Sequence, residues 1–95
     1  MTLEKDIEAA FVKRVKALGG TAEKFTSPNR RSVPDRLVTL PGGAVVFVEL
    51  KAPGKKPTEA QARDHNRRRA MGCRVLIIDN MRDAQNFGGL CASPQ

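Results

Sequence analysis

The chain of 95 residues contains no tryptophan, no tyrosine and only four phenylalanines. Proteins that bind single-stranded nucleic acids often stack the bases on aromatic side chains, so this scarcity disfavours that binding mode. No apolar run approaches the ~20 residues that a membrane-spanning helix needs, and no signal peptide opens the chain. The sequence therefore predicts a cytoplasmic protein with no membrane contact.

Cysteine and histidine are also scarce. The two cysteines, Cys73 and Cys91, lack the spacing of a metal-binding motif and fit reduced thiols better than a disulfide. The one histidine, His65, has no second histidine or cysteine close to it in the sequence, which makes it a poor transition-metal ligand. These residues therefore do not indicate a transition-metal site.

Positive charge, in contrast, is abundant. Lysine and arginine number 17 against 10 acidic residues, which gives a net charge of +7 and an isoelectric point near 10.1. This balance indicates a polyanion-binding protein, although charge alone does not separate DNA, RNA and anionic membranes. The length predicts one small domain over residues 1–95, with a frayed tail from about residue 88.

Hydrophobic periodicity predicts the order of the secondary structure. A helix over 2–18 ends at Gly19-Gly20, and a short strand follows over 21–26. A capping box at Thr58–Gln61 opens a very polar second helix over 58–71, and a buried strand over 74–78 and a short helix to about residue 87 come next. A strand that follows a helix so directly should run parallel to a strand of the preceding hairpin.

The stretch 33–51 predicts that hairpin, because two apolar runs flank the turn Pro41-Gly42-Gly43. Asp35 opens the first strand, while Glu49 and Lys51 close the second and point to the same face. Charged groups are seldom fully buried unless they are paired or bind a metal. The sequence thus predicts an α/β fold, a small mixed β-sheet with flanking helices in the order α-β-β-β-α-β, with a charged cluster at one end.

This cluster suits metal-dependent hydrolysis. Two carboxylates supply the oxygen ligands that Mg²⁺ prefers, and a nearby lysine can hold water or stabilise developing phosphoryl charge. The alternative is that Asp35 is a turn residue and that Glu49 and Lys51 form an exposed ion pair. The proline before Asp35, the apolar strand before Glu49 and the basic charge of the chain favour the hydrolytic interpretation.

The same residues, Pro34-Asp35 and Glu49-Leu50-Lys51, resemble the signature of PD-(D/E)XK nucleases. The wider sequence over 32–54 is similar to the VRR-NUC family, the virus-type replication-repair nucleases, and the resemblance extends from Leu3 to about Phe87. It implies a restriction-endonuclease-like core and an Mg²⁺- or Mn²⁺-dependent endonuclease related in fold to Holliday-junction resolvases. By position, it makes Asp35 and Glu49 metal ligands, Leu50 a ligand through its carbonyl, and Lys51 the catalytic lysine.

Two further site roles are implied by the resemblance. A carboxylate from the first helix would approach the metal, with Glu4 the better candidate and Glu8 the reserve. The alternative is that both acids only favour the helix dipole. Gln61 would act beside the active site, and its alternative role is to complete the capping box of the second helix.

Basic residues around the predicted site could hold phosphates. Arginines lie in the loop before the hairpin and lysines in the linker after it, and two more candidates share the Gln61 face of the second helix. These candidates are Arg30, Arg31, Lys55, Lys56, His65 and Arg68. The alternatives are a solvated loop and, for His65, an ordinary surface position.

The leading hypothesis is a DNA endonuclease, of the kind common in phages and active in a bacterial host. A non-catalytic nucleic-acid-binding module and an accessory subunit of a replication or repair complex are the alternatives. A binding module has no use for Asp35 and Glu49, which repel phosphate unless a cation intervenes. The small core and the polar second helix favour a homodimer, whose paired sites would suit four-way junctions or other branched DNA.

Overall fold

The structure, a computed structural model, describes residues 1–88, so Cys91 and most of the predicted tail lie outside the described residues. Helix α1 (Glu4–Ala17) buries Ile7, Phe11 and Val15, which recur every four residues along one stripe. At its start, the Asp6 carboxylate accepts the Leu3 N–H at 3.0 Å. The first predicted helix is confirmed, with both ends slightly inside the predicted limits.

Four strands form one sheet in chain order: β1 (Thr21–Lys24), β2 (Arg36–Thr39), β3 (Val45–Leu50) and β4 (Arg74–Ile78). The first three are antiparallel, and β4 runs parallel to β3. A parallel pair needs a crossover, which helix α2 (Glu59–Ala70) provides. A short helix α3 (Met81–Gln85) follows β4. The predicted mixed sheet and element order are confirmed.

The apolar core lies between one face of the sheet and helices α1 and α3. Its buried side chains include Val38, Val46, Val48, Leu50 and Ile78 from the strands. The rings of Phe11 and Phe87 meet edge to face, with centroids 4.8 Å apart. Arg14, which interrupts the apolar stripe of α1, donates from Nε to the Phe87 carbonyl at 2.7 Å. The arginine therefore ties α1 to the segment after α3.

Helix α2 covers the other face of the sheet, onto which Phe47 and Glu49 project. The Arg68 guanidinium lies over the rings of Phe25 and Phe47, at 5.2 and 4.8 Å from their centroids. It also pairs with the buried Asp64 at 2.8 Å. Burial by itself raises the pKa of Asp64, but hydrogen bonds from Arg68 and Arg67 lower it below its usual value. The polar helix therefore packs on the sheet through its charged side chains. The fold does not require an external partner to explain its polarity.

The hairpin and the last strand add two details. Gly42 and Gly43 have φ of 92° and 90°, so the tight turn between β2 and β3 requires glycine. Strand β4 was expected to be buried, but it is an edge strand whose Ile77 is 37 % exposed.

Within residues 1–88, no helix combines the length and the apolar character that crossing a membrane requires.

We predict that Asp64→Ala lowers the free energy of unfolding by about 3 kcal/mol, because it leaves the guanidinium of Arg68 buried without its partner. Arg67→Ala is the matched control. It removes the more exposed partner and leaves Asp64 paired with Arg68, so it should cost less than about 1 kcal/mol. Urea unfolding followed by circular dichroism measures both changes, and equal losses in the two variants would contradict this account.

Candidate active site

The hairpin brings Asp35 and Glu49 together at its open end. Arg36 pairs with Val48 across the hairpin, so the preceding Asp35 lies opposite Glu49. An Asp35 carboxylate oxygen, Oδ2, accepts the backbone N–H of Leu50 at 2.9 Å. The aspartate is thus fixed against the strand end that carries the glutamate, as the predicted charged cluster requires.

Gln61 joins this cluster from helix α2. Its Nε2 donates to Glu49 Oε2 at 3.1 Å, and its Oε1 accepts from Lys51 Nζ at 2.8 Å. The same Oε1 accepts the backbone N–H of Thr58 at 2.9 Å, while the Thr58 hydroxyl accepts the Gln61 N–H. The two roles that the sequence left open for Gln61 are therefore both present: it completes the capping box and it contacts the site.

Burial sets the electrostatics of the site. Glu49 is only 2 % exposed, and this burial, with the nearby Asp35 carboxylate, raises its pKa to about 7. The Lys51 ammonium, with Nζ 3.4 Å from Glu49 Oε2, opposes the shift without cancelling it. Two adjacent carboxylates with a single lysine beside them leave the site short of positive charge, and they favour either a proton or a bound cation.

His65 is the site residue whose place the sequence did not reveal. Its side chain is fully buried on the inner face of α2, and its Nε2 lies 3.8 Å from Glu49 Oε1. Burial, with a further contribution from Arg69, lowers its pKa and keeps the ring neutral. The expected surface contact of His65 with nucleic acid does not fit this position. The spacing of four from Gln61 was the available signal, since it places both side chains on one helix face.

Arg68 likewise lies inside the fold. Only 14 % of its side chain is exposed, because it stacks on two phenylalanine rings and pairs with Asp64. A guanidinium held in this way cannot reach a phosphate without leaving its partners. The expected nucleic-acid contact of Arg68 is therefore replaced by a structural role for this residue.

The donor set suits a hard divalent cation. Asp35 and Glu49 contribute carboxylate oxygens, and Glu49 Oε1 is buried without any hydrogen-bond partner in the described chain. An ionised oxygen in that situation is strongly destabilised, and a bound cation would relieve it. Residues 1–88 contain no group of three or more histidine, cysteine, aspartate or glutamate side chains arranged for a metal.

The first-helix acids do not contact this pair. Glu8 forms an ion pair with Arg36 at 3.0 Å, and Arg36 also donates to the Ala22 carbonyl at 2.8 Å. Glu4 is exposed at the start of α1 and forms no hydrogen bond or ion pair with any residue that the structure describes. Neither acid is connected to Glu49 by a hydrogen bond or ion pair in the described chain.

A basic cavity of about 290 Å³ lies between the loop before the hairpin and helix α2. Its lining comprises Arg30, Ser32, Ala60, Arg63, Asp64 and Arg67. The predicted phosphate contact Arg30 is therefore joined by two arginines of α2. Arg31, Lys55 and Lys56 are exposed on the surface.

Comparison with known proteins places these features in a family, although no protein-family model matches the chain. The chain is 53 % identical over 77 residues to "Putative nuclease p44" of Acyrthosiphon pisum secondary endosymbiont phage 1, which covers 81 % of this chain and 83 % of the relative. A solved structure described as a VRR_NUC domain superposes with a TM-score of 0.86 at 32 % identity, covering 94 % of this chain and 97 % of the other. With this identity and coverage, the chain belongs to the VRR-NUC nuclease family.

Proposed function

We propose that this protein is a metal-dependent DNA endonuclease that hydrolyses phosphodiester bonds. The observation that carries the proposal is the contact of Gln61 with both Glu49 and Lys51 beside Asp35. A nucleic-acid-binding module would have no need to hold two carboxylates and a lysine in one partly buried cluster. A hydrolase needs such a cluster, because it must bind a cation and stabilise developing negative charge.

Asp35 and Glu49 would hold Mg²⁺ or Mn²⁺, with the Leu50 carbonyl as a further ligand. Glu4, or Glu8 in reserve, stays a prediction as an additional ligand. When bound, the divalent ion would polarise a phosphoryl oxygen and lower the pKa of a coordinated water. The hydrogen bond from the Leu50 N–H to Asp35 Oδ2 supports this role, because it fixes the carboxylate beside the end of β3.

Lys51 and Gln61, which both approach Oε2 of Glu49, would act on the reacting groups beside the metal. The Lys51 side chain is 16 % exposed, so its ammonium can still reach a bound phosphate or water. Gln61 restrains Lys51 and Glu49 together, since one amide accepts from the lysine and donates to the glutamate. This arrangement supports a role for Lys51 in stabilising the negative charge that a bound phosphoryl group would gain during hydrolysis.

The DNA backbone would be held by the cationic residues around this cluster. The basic cavity at one side of α2 is lined by Arg30, Arg63 and Arg67. Three further basic residues are exposed and lie close to the site in sequence: Arg31, Lys55 and Lys56. Contacts of this kind fix position on the duplex rather than read its sequence. Selectivity would then depend on the shape of the DNA.

The test of the proposed activity is nicking of supercoiled plasmid. We expect cleavage with Mg²⁺ or Mn²⁺ and none in EDTA. Lys51→Ala and Glu49→Ala should each lower the rate by at least ~10²-fold, the scale for losing a group that stabilises the transition state. Lys16→Ala, at an exposed position of α1, is the control and should cut normally. Robust cleavage in EDTA, or wild-type cleavage by Lys51→Ala, would overturn the assignment.

The raised pKa of Glu49 predicts how stability depends on pH when no metal is present. Because the folded protein binds this proton more tightly than the unfolded chain, stability falls as pH rises from about 4.5 to about 7. Glu49→Gln removes the titration, so we expect its stability to match that of wild type near pH 4.5 and to exceed it by about 3 kcal/mol at pH 8.

Denaturant unfolding in EDTA at the two pH values measures this difference. Other titrating groups act similarly in both proteins and largely cancel in the comparison. A difference between wild type and Glu49→Gln that does not change with pH would show that Glu49 titrates normally.

We further propose a homodimer that prefers four-way junctions or other branched DNA to linear duplex. A dimer of this kind needs an exposed apolar patch. Met71 is 65 % exposed and suits such a patch, whereas Val12 is half-buried against the core and suits it less. Val45 and Ile77 add exposed apolar area at 49 % and 37 %. Two-fold pairing would present two sites, each able to cut one strand.

We expect light scattering at micromolar concentration to report twice the monomer mass. In a competition assay, a labelled four-way junction should be cut faster than a matched linear duplex of the same length. A monomer mass would refute the dimer, and equal cleavage of the two substrates would refute the preference for branches while leaving the nuclease assignment intact.

A further inference from the structure

Two buried polar groups, one on helix α2 and one on the sheet, face each other, and neither has a hydrogen-bond partner in the described chain. They are the imidazole of His65, where both Nδ1 and Nε2 lack a partner in the described chain, and Oε1 of Glu49. The two residues are 0 % and 2 % exposed, and Nε2 lies 3.8 Å from Oε1. A buried polar atom without a partner is destabilised by about 1–3 kcal/mol, so three such atoms in one place call for an explanation.

The chemistry of the two groups is complementary. A neutral imidazole carries one N–H donor and one acceptor nitrogen, and a protonated imidazole carries two donors, so Nε2 can donate in either state. An ionised carboxylate only accepts, and its two oxygens together offer about four lone-pair directions. An N–H···O bond is about 2.9 Å long, so the observed separation is about 1 Å too great and a small rotation of either side chain would close it.

The surroundings of His65 restrict where it can go. One turn before it, Gln61 is bonded to Glu49 Oε2. Three residues after it, Arg68 is paired with Asp64 and lies over the ring of Phe47. The helix is therefore anchored on both sides of the imidazole, and the ring is held against the glutamate.

We propose that His65 is a positioning residue for the metal-binding carboxylate, which donates from Nε2–H to Glu49 Oε1 when Glu49 is ionised. Gln61 donates to Oε2 and His65 donates to Oε1, so each oxygen is oriented by one hydrogen bond and keeps a second lone pair for a cation. The inference rests on the proposed function, because it assigns the reason for this orientation to metal binding. Hydrogen-bonding partners of metal ligands typically change metal affinity by ~10–100-fold.

The competing arrangement is direct coordination of a metal by the imidazole. Imidazole suits Mn²⁺, Co²⁺ and Zn²⁺, whereas Ca²⁺ and Mg²⁺ prefer oxygen. Direct coordination would thus affect the softer ions far more than Ca²⁺, and a hydrogen-bonding role would affect all of them alike. It would also leave Nε2 without a proton.

The first experiment measures metal affinity without catalysis. Isothermal titration calorimetry with Ca²⁺ and with Mn²⁺ would compare wild type, His65→Leu and His65→Gln, with Asn66→Ala as the exposed control from the same helix turn. We expect His65→Leu to bind both ions ~10–100-fold more weakly. His65→Gln, which keeps an N–H donor, should recover most of the loss, and Asn66→Ala should bind normally.

The second experiment reads the proton itself, and it needs no variant that might fail to fold. His65 is the one histidine of the chain, so its ring nitrogens give unambiguous ¹⁵N NMR signals. In the Ca²⁺-loaded protein we expect the proton on Nε2. A proton on Nδ1 with a bare Nε2, or equal Ca²⁺ affinity of wild type and a folded His65→Leu, would overturn the inference.

Two other results separate this inference from the proposed function. Loss of Mn²⁺ affinity with unchanged Ca²⁺ affinity in His65→Leu would replace the positioning role by direct coordination. Absence of divalent-ion binding by the wild-type protein would remove the proposed metal site, and this inference with it.

Discussion

Burial of Glu49 is the constraint on which the rest of the site depends. A carboxylate that is 2 % exposed and lies beside a second carboxylate is stable only if the surroundings compensate it. The fold supplies a lysine two residues along the strand and an amide from α2, both on the same oxygen. The remaining oxygen faces a neutral imidazole and has no partner in the described chain. The protein therefore builds a site that is only partly neutralised, and this is the condition in which a cation binds well.

Helix α2 shows how that condition is maintained. Helix α2 lacks an apolar stripe to dock on the sheet and is fixed instead by directional pairs. Asp64 binds Arg68, Arg68 stacks on Phe47, and Gln61 binds Glu49 in the neighbouring turn. Such contacts require defined geometry, so they set the rotation of the helix about its axis. The apolar core on the other face of the sheet supplies stability, and the polar side supplies the orientation of the site.

Much of this architecture could be predicted from the sequence. Periodicity predicted the elements, and the hairpin predicted from the glycine turn put Asp35 and Glu49 at the same end, because these are local backbone properties. The burial of His65 and Arg68 could not be predicted, because a charged helix looks solvent-exposed when its partners are distant in sequence. Arg68 stacks on Phe25 and Phe47, which lie 43 and 21 positions earlier in the chain. The orientation of Glu4 and Glu8 also depends on how α1 rotates against the sheet, which spacing alone does not define.

The shared acceptor on Gln61 has a consequence for how such a domain can diverge. One oxygen accepts from the Thr58 N–H and from Lys51 Nζ, so the start of α2 is tied directly to the end of β3. Extra residues in the connection over 52–57 would shift the helix start and separate these groups. The turn at Gly42-Gly43 is at the far end of the hairpin, and it is exposed with open space around both glycines. Insertions and appended modules should therefore be tolerated at that turn and selected against in the connection, although both are surface loops.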